Sequence, residues 1–357
     1  MTRIELPKHL FKRNEAHVLS HGDFKISTFR YSSGIEALRV TSKRTEIIVL
    51  PFKGQQIWRA SFDGVDVTMK SMFEEPVDTD VYLETYGAFF IHCGMTAMGA
   101  PSPEDTHPLH GELPNAPFQE AYVQLSEDRL VIGGTYQHRV AFTHHYLARS
   151  EITLDPSEAA IEVSLDVENR RKTPMDLMYL GHANFRPVAG GELVYSAPYT
   201  PQAVRVRTSV PSHIKVPDGY MSFIEKLEAE PSGHHRMDPD LPFDPEVVFS
   251  IDMKADAEGW AHALQRHADG SADFISYDAQ TCPLAGRWIC WMDDQQGLGI
   301  AFPTTSGVEG YLAEKAKGRV VELPGHSNWR ASMRMGRLDA LDTQKMADSI
   351  DRIAGRR

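Results

Sequence analysis

Residues 159–169 read AAIEVSLDVEN, and this stretch is the clearest structural signal in the sequence. Apolar and polar side chains alternate at every second position from Ile161 to Glu168. Successive side chains of a strand point to opposite faces of the sheet, so a period of two predicts a strand with one buried face. The same alternation recurs along much of the chain, interrupted by turn residues, and predicts an all-β fold.

Turn chemistry indicates how these strands are joined. Asp63-Gly64 separates two alternating arms, which is the commonest short hairpin signal. Two further hairpins are predicted around residues 127–128 and 294–297. Helical periodicity is confined to a short segment at 220–227 and to the tail at 341–355. We therefore expect one domain, residues 1–357, built as a large β-sandwich of antiparallel sheets with few short helices.

Bulk composition excludes several classes of function. The chain has 357 residues and a net charge of -12, which argues against binding to nucleic acid. No run approaches the roughly 20 apolar residues that a membrane helix needs. The N-terminal residues lack a hydrophobic signal core, so we expect a cytoplasmic protein without membrane contact. Cys93, Cys282 and Cys290 are odd in number and lack CxxC spacing, which predicts free thiols.

The segment EDTHPLHGELPNAPF, residues 104–118, contains two histidines among residues that break both helices and strands. His107 and His110 stand three apart and could be metal ligands, catalytic groups or loop residues. Pro108 lies between them, so they cannot share one face of a helix as a metal-binding pair would. The pattern favours loop histidines that hydrogen-bond locally or to a ligand, without a bound metal.

The segment LGHANFRPV, residues 180–188, supplies a second group of candidate residues. His182, Asn184 and Arg186 alternate at the end of a strand, so their side chains are predicted to share one face. A ligand-lined sheet would explain three polar side chains on that face. A solvent-facing strand surface is the alternative.

Carboxylates provide the third and fourth candidates. Glu309 lies between Gly307 and Gly310, whose lack of side chains lets a ligand approach the backbone, and it could act as a base. The charged run that follows it contains Lys315 and is by default a solvated loop. Asp244 precedes an apolar strand, where acidic residues often serve only to form a turn.

Taken in chain order, these motifs resemble those of the aldose 1-epimerase (galactose mutarotase-like) superfamily, and the chain is most similar to a divergent bacterial branch of it. The resemblance rests on Leu109-His110-Gly111, on His182 in GHANF, on Asp244, and on Glu309 ahead of VVELPG. It covers most of the chain. The sequence departs from the family pattern around Glu309, where VEGYLAEK replaces the usual context of the base.

The resemblance implies a β-supersandwich fold and an isomerase that interconverts the anomers of a sugar by opening and reclosing its ring. In that scheme Glu309 is the base, His182 is the acid and His110 assists at the ring oxygen. Asp244, Arg186, Asn184, His107 and Lys315 would contact the substrate. The reaction needs no cofactor and no metal. The expected partner is a small sugar, and a homodimer stays open.

Three other functions stay open at this point. A non-catalytic carbohydrate-binding protein could use the same sandwich without the acid–base pair. An epimerase for phosphorylated or acidic sugars would use Arg186, Lys315 or Lys317 on the anionic group. A metal-dependent sugar isomerase is the third, and elemental analysis would identify it.

Overall fold

The computed structural model describes residues 2–210 and 215–356 and consists mainly of strands. The described residues form 22 strands and three α-helices, with short 3-10 turns at Lys8–Leu10, Tyr82–Thr85 and Pro231–His234. The strands and helices are β1 (Thr2–Glu5), β2 (Ala16–His21), β3 (Phe24–Arg30), β4 (Glu36–Thr41), β5 (Thr45–Leu50), β6 (Gln56–Phe62), β7 (Val65–Asp66), β8 (Phe90–Met95), β9 (Glu120–Leu125), β10 (Leu130–Val140), β11 (His144–Leu154), β12 (Ala160–Asn169), β13 (Met175–Ala183), β14 (Glu192–Tyr195), β15 (Val204–Val206), β16 (Val247–Ile251), β17 (Trp260–Arg266), β18 (Ala272–Asp278), β19 (Leu284–Trp291), β20 (Gln296–Thr304), β21 (Val321–Leu323), β22 (Asn328–Leu338), α1 (Tyr220–Ala229), α2 (Tyr311–Ala316) and α3 (Ala340–Ala354).

Two large sheets contain all 22 of the described strands. The smaller sheet has nine strands in the order β1-β9-β10-β11-β12-β22-β18-β17-β14. The larger has 13 strands, with the path β15-β16-β19-β20-β13-β8-β6-β5-β4-β3-β2, to which β7 and β21 add at the sides. The strand pairs within both sheets are antiparallel. The predicted all-β architecture is therefore confirmed.

The stretch that predicted the fold forms β12. Ile161, Val163, Leu165 and Val167 are at most 1% exposed and belong to the main core cluster. The strand pairs with β11 on one side and β22 on the other. The three predicted hairpins form as β6–β7, β9–β10 and β19–β20. The two predicted helical segments correspond to α1 and α3.

The larger sheet is buried on both faces. Leu177 and Tyr179 of β13 pack in the cluster that it shares with the smaller sheet, whereas Met178 and Leu180 pack in a second cluster on the opposite face. Other strands of the sheet and the loops that precede and follow β8 complete the second cluster, the loops through residues such as Tyr86 and Met98. An outer face covered in this way can enclose a cavity.

Helix α3 covers the outer face of the smaller sheet. The Asp339 side chain caps its first turn by accepting from the backbone N–H of Asp342 at 2.9 Å. Ile350 and Ala347 pack in a small cluster with residues of the sheet. Across residues 2–210 and 215–356, no helix combines the length and the apolar composition that crossing a bilayer requires. Cys93, Cys282 and Cys290 are free and buried, as predicted.

Candidate functional site

A cavity of about 390 Å³ lies on the outer face of the larger sheet. Strands β13, β16, β19 and β20 supply one side of it, and the loops around residues 72–86 and 100–110 supply the other. Most of its lining is apolar or aromatic, as is usual for small-molecule sites. The side chains in the lining that can hydrogen-bond or ionise are Tyr82, Tyr86, His110, His182, Arg207, Glu246, Arg287, Trp288 and Gln295.

His182 is held at the end of β13 by aromatic neighbours. It follows Met178 and Leu180 on the outer face of the sheet, because side chains alternate along the strand. Its ring lies 4.0 Å from that of Phe302 and 6.0 Å from that of Trp288, between centroids. Burial and the nearby His110 hold the pKa of His182 well below its ordinary value. The imidazole is therefore neutral at pH 7.

Asn184 determines which nitrogen of His182 carries the proton. Its Nδ2 donates to the backbone carbonyl of Ala88 at 2.9 Å, which fixes the orientation of the amide. The opposite end, Oδ1, lies 2.7 Å from His182 Nδ1 and accepts from the Tyr86 hydroxyl at 3.2 Å. An amide oxygen can only accept, so the proton of His182 must be on Nδ1. Nε2 therefore presents a lone pair, and no hydrogen bond with the described residues engages it.

His110 lies opposite His182 on the loop between β8 and β9. The two ring centroids are 5.6 Å apart, and the Tyr82 ring lies 4.9 Å from that of His110. Burial, with a smaller effect of His107, lowers the pKa of His110 to about 4. Its Nδ1 is buried without a partner among the described residues. An orphaned lone pair is more readily tolerated than an orphaned N–H, which favours a proton on Nε2.

Gly111 makes the position of His110 possible. The backbone of Gly111 has φ +80°, and a Cβ there would lie 2.2 Å from the carbonyl oxygen of Ala97 and 2.4 Å from that of Gly94. We expect Gly111→Ala to lower the free energy of unfolding by about 2 kcal/mol or more, because both the conformation and the contact are unfavourable. Urea unfolding measures this. Gly22→Ala, also at positive φ but with open space around it, is the matched control.

The carboxylate in the cavity lining belongs to Glu246, which immediately precedes β16. Glu246 Oε2 accepts a hydrogen bond of 2.7 Å from the indole N–H of Trp288 on β19. The Tyr220 hydroxyl of α1 donates to the backbone carbonyl of Glu246 at 2.6 Å. One carboxylate oxygen is thus fixed, while the other makes no hydrogen bond to the described part of the chain. Glu246 can therefore accept from a hydroxyl of a ligand.

Arg207 also lines the cavity, but Glu309 neutralises its charge. Arg207 Nε lies 2.9 Å from Glu309 Oε1, and Nη2 donates to Oε2 at 3.2 Å. The Glu309 side chain is 36% exposed and is not part of the cavity lining. The predicted base therefore sits behind Arg207, engaged through both of its oxygens.

The other predicted residues are divided between the cavity and its surroundings. His110 and His182 are brought together, with Asn184 buried behind His182. Asp244 is exposed and lies outside the lining, where Glu246, two residues later, takes the position at the wall. Arg186 pairs with Asp66 at 3.1 Å, away from the cavity.

His107 lines a separate cavity beside α2, and Lys315 contacts Asp176, which lines the same cavity. His107 Nδ1 donates to the carbonyl of Pro108 at 2.8 Å, and Nε2 accepts from the backbone N–H of Tyr311 at 3.2 Å. Both ring nitrogens are therefore occupied. Lys315 Nζ contacts Asp176 at 2.5 Å. These two residues link the loop and the helix that flank the site, and neither reaches the main cavity.

Six of the polar lining residues were not identified from the sequence, namely Tyr82, Tyr86, Arg207, Arg287, Trp288 and Gln295. Tyr82 and Tyr86 occupy a turn without periodic pattern. Arg207 lies on the opposite face of the extended chain from Val204 and Val206, and this alternation was the only feature of the sequence that marked it.

Within residues 2–210 and 215–356, no three His, Cys, Asp or Glu side chains gather in an arrangement that could hold a metal ion. The donor groups of the cavity are two imidazoles and one carboxylate, of which one imidazole nitrogen is already committed to Asn184. The arrangement is suited to exchanging protons and hydrogen bonds with a polar ligand.

Solved structures share this fold. A candidate aldose 1-epimerase from Klebsiella pneumoniae is 18% identical, with a TM-score of 0.82 over 99% of this chain and 96% of the other. A galactose mutarotase-like protein from Clostridium acetobutylicum is 13% identical, with a TM-score of 0.59 over 89% and 99%. A candidate aldose 1-epimerase from Escherichia coli K12 is 14% identical, with a TM-score of 0.54 over 91% and 99%. At these identities the likeness establishes the galactose mutarotase-like fold.

The sequence itself leads to one family. No curated protein matches it. A family model described as Domain of unknown function (DUF4432) matches residues 32–336, most of the chain. The chain therefore belongs to the DUF4432 family, a divergent branch with the galactose mutarotase-like fold.

Proposed function

We propose that this protein catalyses the interconversion of the anomers of an aldose by opening and reclosing its ring. The observation that carries the proposal is the acceptor nitrogen of His182, fixed by Asn184, in a ring 5.6 Å from that of His110 in the lining of one cavity. The fold it shares with candidate aldose 1-epimerases agrees with this reaction.

Ring opening moves one proton. The C1 hydroxyl loses a proton, the bond between C1 and the ring oxygen breaks, and the ring oxygen gains a proton. His182 Nε2 accepts the proton from the C1 hydroxyl, and the resulting imidazolium donates it to the ring oxygen on the same carbon. Rotation about the C1–C2 bond then exposes the other carbonyl face. Reclosure by the reverse steps gives the other anomer and restores neutral His182.

Other residues of the cavity hold the sugar during these steps. The Nε2–H of His110 donates a hydrogen bond to the ring oxygen, where negative charge develops as the bond breaks. The unengaged oxygen of Glu246 accepts from a sugar hydroxyl, and Trp288 and Phe302 offer apolar surface to the sugar. Asn184 stabilises the imidazolium of His182 through Oδ1. This scheme assigns the proton transfer to His182 instead of Glu309, because Glu309 is paired with Arg207.

Two-dimensional exchange NMR across a panel of uncharged aldoses tests the proposal. We expect at least one sugar to interconvert more than about tenfold faster with the protein than in buffer, since general acid–base catalysis supplies about 10²–10⁴ in rate. Binding of sugars without acceleration of any of them would identify a non-catalytic carbohydrate-binding protein and overturn the proposal.

The pH dependence provides a further prediction. Because burial lowers the pKa of both cavity histidines, the catalysed rate is expected to show no inflection near pH 6.5, the ordinary value for histidine. Both groups stay neutral between about pH 8 and about pH 6, so the rate stays constant over that range. Rates measured by polarimetry at constant ionic strength check this. An inflection near pH 6.5 would contradict the neutral, accepting state of His182.

A further inference from the structure

We infer that the cavity selects uncharged sugars, and that Glu309 acts as a specificity residue by neutralising Arg207. The inference rests on the proposed function in assuming a sugar ligand, but it concerns binding and not the proton transfer.

Arg207 and Arg287 are the cationic side chains among the lining residues in the described part of the chain. Arg287 is 0% exposed, and its guanidinium packs 4.0 Å from the centre of the Tyr195 ring, in the cluster between the two sheets. Its Nη1 donates to His234 Nε2 at 2.8 Å and its Nε to the carbonyl of Ile300 at 3.0 Å. Neighbouring Trp288 packs in the cluster on the outer face, so alternation along β19 turns the Arg287 side chain away from the cavity.

Among the described lining residues, Arg207 is then the cation positioned to contact an anionic group of a ligand. Its guanidinium is already engaged by Glu309 through Nε and Nη2, and Nε also donates to Ser209 at 3.0 Å. Glu246 adds a carboxylate to the wall. With both cavity histidines neutral, an anionic substituent would meet the carboxylate of Glu246 and a guanidinium, that of Arg207, whose charge Glu309 neutralises from outside the lining. That combination is unfavourable for an anion in a partly desolvated site.

The cations that would serve an acidic or phosphorylated sugar are engaged elsewhere. Lys315 pairs with Asp176, Lys317 with Glu314 and Arg186 with Asp66. None of the three lines the cavity. The charge arrangement thus favours an uncharged aldose over its uronic acid or its phosphate.

Glu309→Gln tests this inference because it frees Arg207 without removing the side chain. D-galactose, D-galacturonate and D-galactose 6-phosphate are titrated into the wild-type protein and the variant at low salt, with binding followed by saturation-transfer NMR and tryptophan fluorescence. We expect the wild-type protein to bind galactose at least about tenfold more tightly than either anion. In Glu309→Gln, the ratio between the affinity for galactose and the affinity for either anion is expected to fall at least about tenfold, because the anions bind more tightly to the freed Arg207. Charge-assisted hydrogen bonds of this kind are stronger than neutral ones.

Two controls make the result specific. Glu104→Gln changes the net charge equally on an exposed loop outside the main cavity, and it should leave the selectivity as it is. Adding Arg207→Met to Glu309→Gln should abolish the gain in anion binding. Tighter binding of an anionic sugar by the wild-type protein, or an unchanged affinity ratio in Glu309→Gln, would overturn the inference. If galactose binds selectively but no sugar interconverts faster, the proposed catalysis fails while the selectivity stands.

Discussion

Replacing His182 with alanine is expected to lower the catalysed rate of anomer interconversion by about 10²–10⁴-fold, the usual contribution of a positioned acid–base group. The effect should be large because the fold fixes the direction of the Nε2 lone pair of His182 through the hydrogen bond of its other ring nitrogen. The hydrogen bond from Nδ1 to Asn184 both orients the ring and stabilises the cation formed during turnover. Exchange NMR on the cognate sugar, at saturating concentration, measures the loss.

The fold should survive this substitution well enough for the comparison to be valid. His182 packs against aromatic rings, and the alanine variant enlarges a cavity that already exists. His144→Gln is a suitable control, because His144 lies beside the second cavity and outside the site. Circular dichroism verifies that both variants are folded.

The same assay separates the two assignments of the base. If His182 carries the proton, Glu309→Gln should lower the rate on an uncharged sugar by less than about tenfold. That loss is smaller than the loss of about 10²–10⁴-fold expected when an acid–base group is removed. Full activity of His182→Ala together with inactivity of Glu309→Gln would show that the sequence-based assignment of Glu309 was right, and that the ion pair with Arg207 opens on binding substrate.

The architecture could be predicted because it depends on local patterns. The alternation in β12 reports the buried face of a strand, and Asp63-Gly64 reports a tight turn, whatever the rest of the chain does. The order of strands in the two sheets could not be obtained in this way. The pairing of β13 with β8 and of β12 with β22, for example, joins segments far apart in sequence.

The sequence pointed to residues of the cavity where their type and context are distinctive, and it did not where only the three-dimensional position brings a residue to the wall. His110 and His182 are distinctive residues in distinctive contexts, and the structure places them side by side. Asp244 and Glu246 are both acidic and two residues apart, so sequence alone could not tell which reaches the wall. The indole N–H of Trp288, which comes from another strand, holds Glu246 in place. The sequence likewise did not indicate that Arg207 lies beside Glu309 and pairs with its carboxylate.

Acidification is expected to unfold this protein at a higher pH than its carboxylates alone would dictate. Five histidines, three of them buried and two half-buried, hydrogen-bond or pack in their neutral forms, and desolvation lowers the pKa of every one of them. They are His92, with a pKa of about 3, His110, about 4, His235, about 3, and His182 and His234, both well below the ordinary value.

The sign of the effect follows from proton binding. Below about pH 6.5 the unfolded chain takes up protons on these histidines, whereas the folded chain does not until the pH approaches the lowered values. The stability that they provide is complete above about pH 6.5 and is lost as the pH falls towards about 4. Each group contributes up to about 1.4 kcal/mol per pH unit, so the five together contribute up to about 7 kcal/mol per pH unit.

Losses of this size are comparable to the whole stability of a typical domain, about 5–15 kcal/mol. Urea unfolding at about pH 8, 6.5 and 5.5 should therefore show the free energy of unfolding falling steeply over the last step. His92→Gln tests the mechanism, because glutamine can hydrogen-bond to Tyr179 and Ser150 as His92 does but cannot be protonated. In this variant the number of protons taken up on unfolding should fall by about one, which lowers the slope of the free energy of unfolding against pH. His17→Gln, at an exposed histidine, should leave that slope unchanged. Equal slopes in the wild-type protein and both variants would contradict the role of the desolvated imidazoles.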